Sequence, residues 1–191
     1  MERRTFKTDF KLRRDGEENH PVIEGYFSVF NSNYEMGAGM SESIAPGAFD
    51  GQTSGDVRAL IDHETRLVLG RTKAGTLQLS QDERGLWGRI DINPNDGDAM
   101  NLVARVERGD VDQCSFGFDI LDEETEFRDD GSVHWTIKSV KLYEVSVVTF
   151  PAYQDTAVAC RSKQKEELDK RKTEAWRERA LNKLHGGNKD A

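Results

Sequence analysis

Apolar and polar residues alternate along much of the first 150 positions of the chain. In an extended segment such alternation places one face against a core and the other toward solvent, so each stretch predicts a strand. Gly25 interrupts one of these stretches, which predicts a bulge or bend there. The predicted strands span residues 5–12, 22–30, 57–61, 76–80, 86–92, 113–121, 132–142 and 144–150.

Turn sequences separate several of these strands. They are Lys73-Ala-Gly75, Asp82-Glu-Arg-Gly85 and Asp129-Asp-Gly131, each rich in residues that favour hairpin turns. Many short strands joined by such turns are typical of an antiparallel barrel or sandwich. The predicted fold class is therefore mainly β with flanking helices (α+β), in the form of an antiparallel barrel or sandwich.

Two helices are predicted within this body. Residues 46–50 begin with a proline, which suits a first helical position. Residues 95–108 form a longer amphipathic segment, with Asp96 or Asp98 as its N-cap and Gly109 as its end.

The pattern changes from residue 161 onward. Residues 164–184 contain no proline or glycine and few apolar residues, which predicts a helix with a narrow apolar face. Residues 161–191 hold ten basic and six acidic residues, a net +4, so the first 160 residues carry −12. We predict a domain over 1–160 and a basic helical tail over 161–191. The tail either docks on a separate acidic partner or packs on its own domain through Trp176 and Leu181.

Composition and charge argue against several classes of function. A net charge of −8 argues against nucleic acid as the main ligand, since phosphate contacts need clustered basic residues. No apolar run approaches the ~18 residues that span a membrane, and the charged N-terminus lacks a secretory signal, so we expect the protein to remain where it is made. Cys114 and Cys160 lack a Cys-x-x-Cys spacing and are interpreted as reduced thiols.

Three residues suggest nucleophilic chemistry. Alternation places Ser115 opposite an apolar strand face, beside Gly117, on a face that a substrate can reach. His63 follows an apolar strand and begins a polar loop, and imidazole is suited to taking and returning a proton near neutral pH. Glu144 lies among β-branched residues, where a carboxylate needs a partner. His63 is one possible partner, and Arg71 is the alternative.

A serine becomes a nucleophile when a base takes its proton and a third group orients that base. Ser115, His63 and Glu144 suit these roles. Cys114 is an alternative nucleophile that alternation places on the opposite face, and the neighbours of His63, Asp62 and Glu64, are weaker choices for the third group.

Other chemistries lack their signatures. The chain has no Gly-x-Ser-x-Gly, the motif of the α/β-hydrolases. No His or Cys spacing suggests zinc, and Asp91, Asp96 and Asp98 do not form a calcium loop. We therefore expect no metal and no cofactor.

Four segments together resemble the prohead maturation proteases of tailed bacteriophages: residues 59–63, 69–77, 115–118 and 144–151. They occur in that family's order and span most of residues 20–160. The resemblance implies a serine endopeptidase whose antiparallel β-barrel is related in fold to herpesvirus assemblin. It also implies cleavage of scaffold and major capsid protein precursor, and of the protease itself, inside the immature head in the host cytoplasm. Self-association is a further expectation.

Assemblin also informs the remaining site residues. It uses a second histidine, which makes His134 the alternative to Glu144, and it stabilises the oxyanion with a backbone amide and an arginine, for which Arg71 is the candidate here. The competing hypothesis is a capsid-assembly protein that keeps this fold and binds scaffold through an exposed strand edge without cleaving it.

Overall fold

A computed structural model describes residues 1–8, 10–15, 20–37, 39–128, 130–150, 161, 164–167, 169–170, 173–174, 176–177 and 181. The chain forms two compact units, Met1–Gln154 and Asp155–Ala191. In the second unit the described residues are helical, and Trp176 and Leu181 are exposed. Cys160 lies outside the described residues.

The first unit is built mainly from strands. Short alternating segments end at turn residues, and one amphipathic segment forms a helix. In chain order the elements are β1 Glu2–Lys7, β2 Lys11–Asp15, β3 His20–Val29, β4 Tyr34–Gly37, β5 Met40–Ile44, β6 Arg58–Ile61, β7 Glu64–Arg71, β8 Leu77–Gln81, β9 Gly85–Asp91, α1 Gly97–Arg108, β10 Gln113–Phe127 and β11 Val133–Val148.

These strands form two sheets. The larger follows the order β1-β10-β11-β5-β4, and the smaller follows β2-β3-β9-β8. The long strand β11 has two parallel neighbours: Val133–Ile137 pairs with β5, and Glu144–Val147 pairs with β6. Strand β6 also pairs with β7. The mainly-β prediction is confirmed. The larger sheet is mixed instead of antiparallel, and no pairing closes it into a barrel within the described part of the chain.

The apolar faces of both sheets contribute to one core. Alternate residues of β10 enter it, and the Phe116 ring packs against Phe118 at 4.7 Å and against Phe49 at 5.4 Å. Val145 and Val147 of β11 are buried in the same core. Because alternate side chains point to opposite faces, the other face of β10 and β11 carries the polar residues between them.

The predicted long helix is confirmed as α1. The Asp96 carboxylate accepts hydrogen bonds from the amides of Asp98 (3.0 Å) and Ala99 (3.2 Å), so Asp96 is the N-cap, and Gly109 ends the helix with φ of 80°. The short helix predicted over 46–50 is wrong. That segment forms successive turns, and Gly47 has φ of 85°, which interrupts a right-handed helix.

Several strand predictions needed correction. The stretch 5–12 is divided between β1 and β2, which lie in different sheets, whereas 132–142 and 144–150 form the single strand β11. Strands β4, β5 and β7 were not predicted. The start of β7, the polar loop expected after His63, is exposed on both faces and therefore shows no alternation.

Local irregularities also differ from expectation. The bulge in β3 lies between Tyr26 and Ser28, whereas Gly25 pairs regularly with Gly88 of β9. The turn at residues 73–75 connects β7 to β8 in the other sheet and is therefore not a hairpin turn. The other two predicted turns do join hairpin strands, β8 to β9 and β10 to β11.

Candidate active site

His63 lies in a two-residue turn that joins β6 to β7. Asp62 and His63 have φ of 48° and 61°, while Ile61 and Glu64 pair on either side. Positive φ at both central residues is the geometry that tight hairpins favour, but residues other than glycine rarely adopt it, and asparagine, aspartate and histidine do so most often. The turn places the His63 ring at the end of the strand, as the sequence predicted, but the ring is buried, which the sequence did not predict.

The imidazole of His63 is joined to Glu144. Its Nδ1 lies 2.7 Å from Oε1 of Glu144, and both side chains are buried. The second carboxylate oxygen, Oε2, accepts a hydrogen bond of 2.5 Å from Oγ of Ser146. Each oxygen therefore has a partner, which offsets the cost of burying a carboxylate. Glu144 has the partner that the sequence required, and it is His63.

Gly117 provides the space for this carboxylate. It is directly opposite Glu144 in the pairing of β10 with β11. A β-carbon at position 117 would lie 3.1 Å from both Cγ and Cδ of Glu144 and closer still to Oε1. Any side chain here would therefore displace the acidic group from His63.

Ser115 lies on the same sheet face, two residues before Gly117 and opposite Ser146. This register makes Ser115 and Glu144 diagonal neighbours, which in antiparallel sheets are about 7–8 Å apart. Ser115 and Glu144 are therefore close neighbours on one face of the sheet.

The sequence predicted that Ser115 lies on a face open to a substrate, but its hydroxyl is buried. Its Oγ donates a 2.9 Å hydrogen bond to the main-chain carbonyl of Arg4. The reason is tertiary: β1 pairs with β10 along residues 2–7, so its backbone lies beside Ser115.

The Nε2 atom of His63 is buried and has no hydrogen-bond partner among the described residues. Because a carboxylate only accepts hydrogen bonds, a neutral His63 bonded to Glu144 carries its proton on Nδ1 and a lone pair on Nε2. A buried nitrogen of this kind is suited to accept a proton from a nearby hydroxyl. No hydrogen bond joins it to Ser115 in the described structure.

The two alternative residues lie elsewhere. Cys114 faces the core, as alternation predicted, and its Sγ lies 3.1 Å from the carbonyl of Tyr26. His134 is ten residues from Glu144 on one strand, which corresponds to about 30 Å. Its ring nitrogens lie 2.8 Å from the hydroxyls of Ser41 and Ser43, and burial is the main cause that lowers its pKa.

Arg71 forms a two-pronged ion pair with Asp56. Its Nε and Nη2 atoms lie 2.7 Å from the two carboxylate oxygens. The hydrogen bond from Arg71 is the main cause that lowers the pKa of Asp56 to about 2. In the strand register, Arg71 of β7 lies opposite Arg58 of β6, which lies opposite Glu144 of β11. Arg71 is therefore two strands away from Glu144.

Sequence reasoning missed one residue of this site, Ser146, and the roles of two others, Gly117 and Asp62. Gly117 and Ser146 each follow a chosen residue by two positions, so the period of a strand was the signal that places them on the same face. Asp62 was considered only as a third member of a triad. Its contribution to the turn depends on backbone angles that no sequence pattern revealed.

The described residues contain no group of His, Cys, Asp and Glu side chains arranged to hold a metal ion. Among the same residues, no helix has both the length and the apolar character needed to cross a bilayer.

Comparison with known proteins places this chain in a family by its sequence. The chain is 30% identical over 157 residues to the prohead protease of Enterobacteria phage HK97, covering 80% of this chain and 64% of that protein. It is 32% identical over 97 residues to the prohead protease of Escherichia phage T5, covering 51% of this chain and 42% of that one. The chain thus spans less than two thirds of either relative, and no solved structure matches it. The model of the caudovirus prohead serine proteases matches residues 8–171, and the chain belongs to that family.

Proposed function

We propose that this chain is a serine endopeptidase that acts on capsid and scaffold precursors during prohead maturation. The observation that supports it best is the arrangement around His63. One ring nitrogen is held by the buried Glu144 carboxylate, and the other is buried without a partner among the described residues, on the sheet face that carries Ser115.

In the proposed mechanism Ser115 exchanges its hydrogen bond to Arg4 for one to Nε2 of His63. Its Oγ attacks the scissile carbonyl carbon while the hydroxyl proton moves to Nε2, and Glu144 stabilises the imidazolium. The tetrahedral intermediate collapses as His63 returns that proton to the leaving amine, and an acyl-enzyme remains. Water then attacks the ester carbonyl carbon as His63 takes its proton, and His63 gives that proton to Oγ of Ser115 as the acyl group leaves as a carboxylic acid.

Arg71 is the proposed oxyanion donor, together with a backbone amide. Its Nε and Nη2 atoms are bound to Asp56, so this role falls to the guanidinium hydrogens that the ion pair does not use. Losing one oxyanion donor typically lowers kcat by about 10² to 10³. Arg71→Ala should show a loss of that size, and a wild-type rate would exclude Arg71 from the oxyanion site.

The proposed substrates are the major capsid protein precursor and its scaffold segment, inside the prohead in the host cell, with the protease itself as a further substrate. This assignment rests on family membership and on the names of the two relatives. Intact mass of the protease and capsid protein, measured after co-expression of wild type and of Ser115→Ala, tests both cleavages.

A fluorophosphonate probe tests the chemistry, because it reacts only with an activated serine. Labelling should map to Ser115 and disappear in Ser115→Ala and His63→Ala. The matched controls are Ser80→Ala, an exposed serine of β8, and His20→Ala, at the start of β3. Both controls lie in the smaller sheet and should be labelled normally.

Precursor processing provides the second readout. Ser115→Ala and His63→Ala should each lower the rate by about 10⁴ to 10⁶, because triad members act as a unit. Glu144→Gln should lower it by about 10⁴. Labelling at Ser146, or a wild-type rate in Glu144→Gln together with an inactive His134→Ala, would contradict the assignment.

The burial of Ser115 and its bond to Arg4 favour one alternative, a capsid-assembly protein that binds scaffold at a strand edge without cleaving it. That protein would remain unlabelled even within assembled proheads and would bind scaffold unchanged in Ser115→Ala. Labelling inside proheads would exclude it.

The basic tail is a separate proposal. The tail, residues 161–191, carries a net charge of +4, and its described residues are helical. Such a segment is complementary to an acidic helical scaffold segment and would retain the enzyme in the prohead. Deleting residues 164–191 should preserve activity on a peptide substrate and abolish packaging. An insoluble truncated chain would instead support the alternative, in which the tail packs on residues 1–160.

A further inference from the structure

The turn that carries His63 is conformationally strained. Asp62 and His63 both have positive φ, and together with Asn31 they are the non-glycine residues with positive φ in the described structure. Strain of this kind persists only where the surrounding structure holds it in place. Neighbouring contacts must therefore stabilise the turn.

Asp62 supplies those contacts. Its Oδ1 accepts a 2.6 Å hydrogen bond from the amide of Thr149, and its Oδ2 accepts a 3.0 Å hydrogen bond from the Thr149 hydroxyl. The amide of Asp62 donates to the carbonyl of Val147 at 3.0 Å. The turn is thus bound at three points to the end of β11, the strand that also carries Glu144.

The register explains why a side chain is needed at this point. The parallel pairing of β6 with β11 ends at Ile61 and Val147, where β6 turns back toward β7. Beyond that point β6 provides no further strand backbone to receive the Thr149 amide. The Asp62 carboxylate takes the place of the missing strand.

We propose that Asp62 is a positioning residue for the catalytic base. It binds the turn to β11, and this fixes the His63 ring against Glu144 while Nε2 remains directed to the serine side of the sheet. The inference rests on the proposed function, since it assigns Asp62 a role only through His63. Asp62 itself forms no side-chain hydrogen bond with Ser115 or Glu144 in the described structure.

Aspartate meets both demands of the position. It is among the few residues that tolerate a left-handed backbone, and its two oxygens match the two donors of Thr149. Asparagine keeps the backbone tolerance and one acceptor, glycine removes the strain and both acceptors, and alanine keeps the strain without any acceptor. These three replacements separate the hydrogen bonds from the backbone conformation.

We expect kcat to fall in the variants that lose the hydrogen bonds to Thr149. Asp62→Ala and Asp62→Gly should each lower kcat by about 10²-fold with KM nearly unchanged, the effect of moving a catalytic group by about 1 Å. Asp62→Asn should stay within about ten-fold of wild type on the same basis. Asn31→Ala is the matched control, since Asn31 has φ of 55° in the remote turn before β4 and should retain full activity.

Two further measurements distinguish positioning from a general loss of stability. In wild type, the Nδ1 proton of His63 should give a low-field NMR signal because Glu144 accepts it, and Asp62→Ala should lose that signal while the other resonances of the sheet persist. Thr149→Val should lower kcat in wild type but cause no further loss in Asp62→Ala, since both changes remove the same contact.

The proposal is overturned if Asp62→Gly has wild-type kcat, if Asn31→Ala loses as much activity as Asp62→Ala, or if the low-field signal survives in Asp62→Ala. The proposed function is tested separately by Ser115→Ala and His63→Ala. Inactive triad variants with active Asp62 variants would refute the positioning role alone. Active triad variants would refute the peptidase assignment itself.

Discussion

Replacing Gly117 by alanine should remove activity while leaving the fold intact. The added β-carbon would lie 3.1 Å from Cγ and Cδ of Glu144, whereas carbon atoms pack best at about 3.5–4.0 Å. The carboxylate must therefore shift by at least about 0.5 Å, and by more at Oε1, which lies closest to the new methyl group.

That shift is enough to disrupt the contact with His63. The hydrogen bond from Nδ1 to Oε1 is 2.7 Å, and such bonds extend to about 3.2 Å. A displacement of about 0.5 Å uses the whole of this range. We expect kcat to fall by at least about 10²-fold, as for a misplaced catalytic group, and by at most the ~10⁴-fold of a lost orienting carboxylate.

The fold should persist, because the atoms that must move belong to a side chain and not to the backbone. Disrupting a hydrogen bond to a buried charged group should lower the free energy of unfolding by about 1.5–3 kcal/mol and Tm by roughly 3–12 °C. Gly97→Ala is the matched control: a β-carbon there meets no atom within 4 Å, and activity should be unchanged.

The assay is precursor processing under single-turnover conditions, with thermal unfolding measured in parallel. Gly117→Ala should add little to the loss already present in Glu144→Ala, because both changes remove the same interaction. A Gly117→Ala enzyme with wild-type kcat would refute the reasoning. So would a loss of activity that only accompanies a general loss of folded protein.

Three other predictions concern single contacts. Ser146→Ala removes the hydrogen-bond donor to Oε2 of Glu144, and a hydrogen bond to a charged group contributes about 1.5–3 kcal/mol. We therefore expect kcat to fall by about 10- to 10²-fold and to recover in Ser146→Thr. Arg71→Ala should raise the pKa of Asp56 from about 2 toward 3.8, as measured by carboxyl-carbon NMR titration, and an unchanged titration would contradict the ion pair. Burial lowers the pKa of His134, so below the ordinary value of 6.5 the folded state binds fewer protons than the unfolded state. Tm should therefore fall as the pH decreases from 6.5, and His134→Gln should reduce that dependence.

The sequence by itself determined most of the strands, although not β4, β5 and β7, and it determined which face of the predicted strands is apolar. The period of two placed Cys114 in the core and Ser115 on the opposite face, and the structure agrees. The cap and end of α1 could also be recognised, because Asp96 and Gly109 act on backbone groups within a few residues of themselves. Local chemistry of this kind is determined by neighbouring positions in the chain.

Strand partners were not determined locally. Nothing near β11 indicated that its two halves have different parallel neighbours, or that β1 lies beside the candidate nucleophile. Parallel pairing joins segments far apart in sequence, without the hairpin turns that indicate antiparallel neighbours. The mixed sheet and the burial of Ser115 therefore appeared only in three dimensions.

The candidate site shows the same division. The need of Glu144 for a partner followed from its apolar surroundings, and His63 was a reasonable choice. That the two meet depends on β6 pairing in register with β11 and on the turn at Asp62, whose side chain bonds to Thr149 at a distance of 87 residues along the chain. Residue types determined what chemistry was available, and only the tertiary pairing brought those groups within hydrogen-bonding distance.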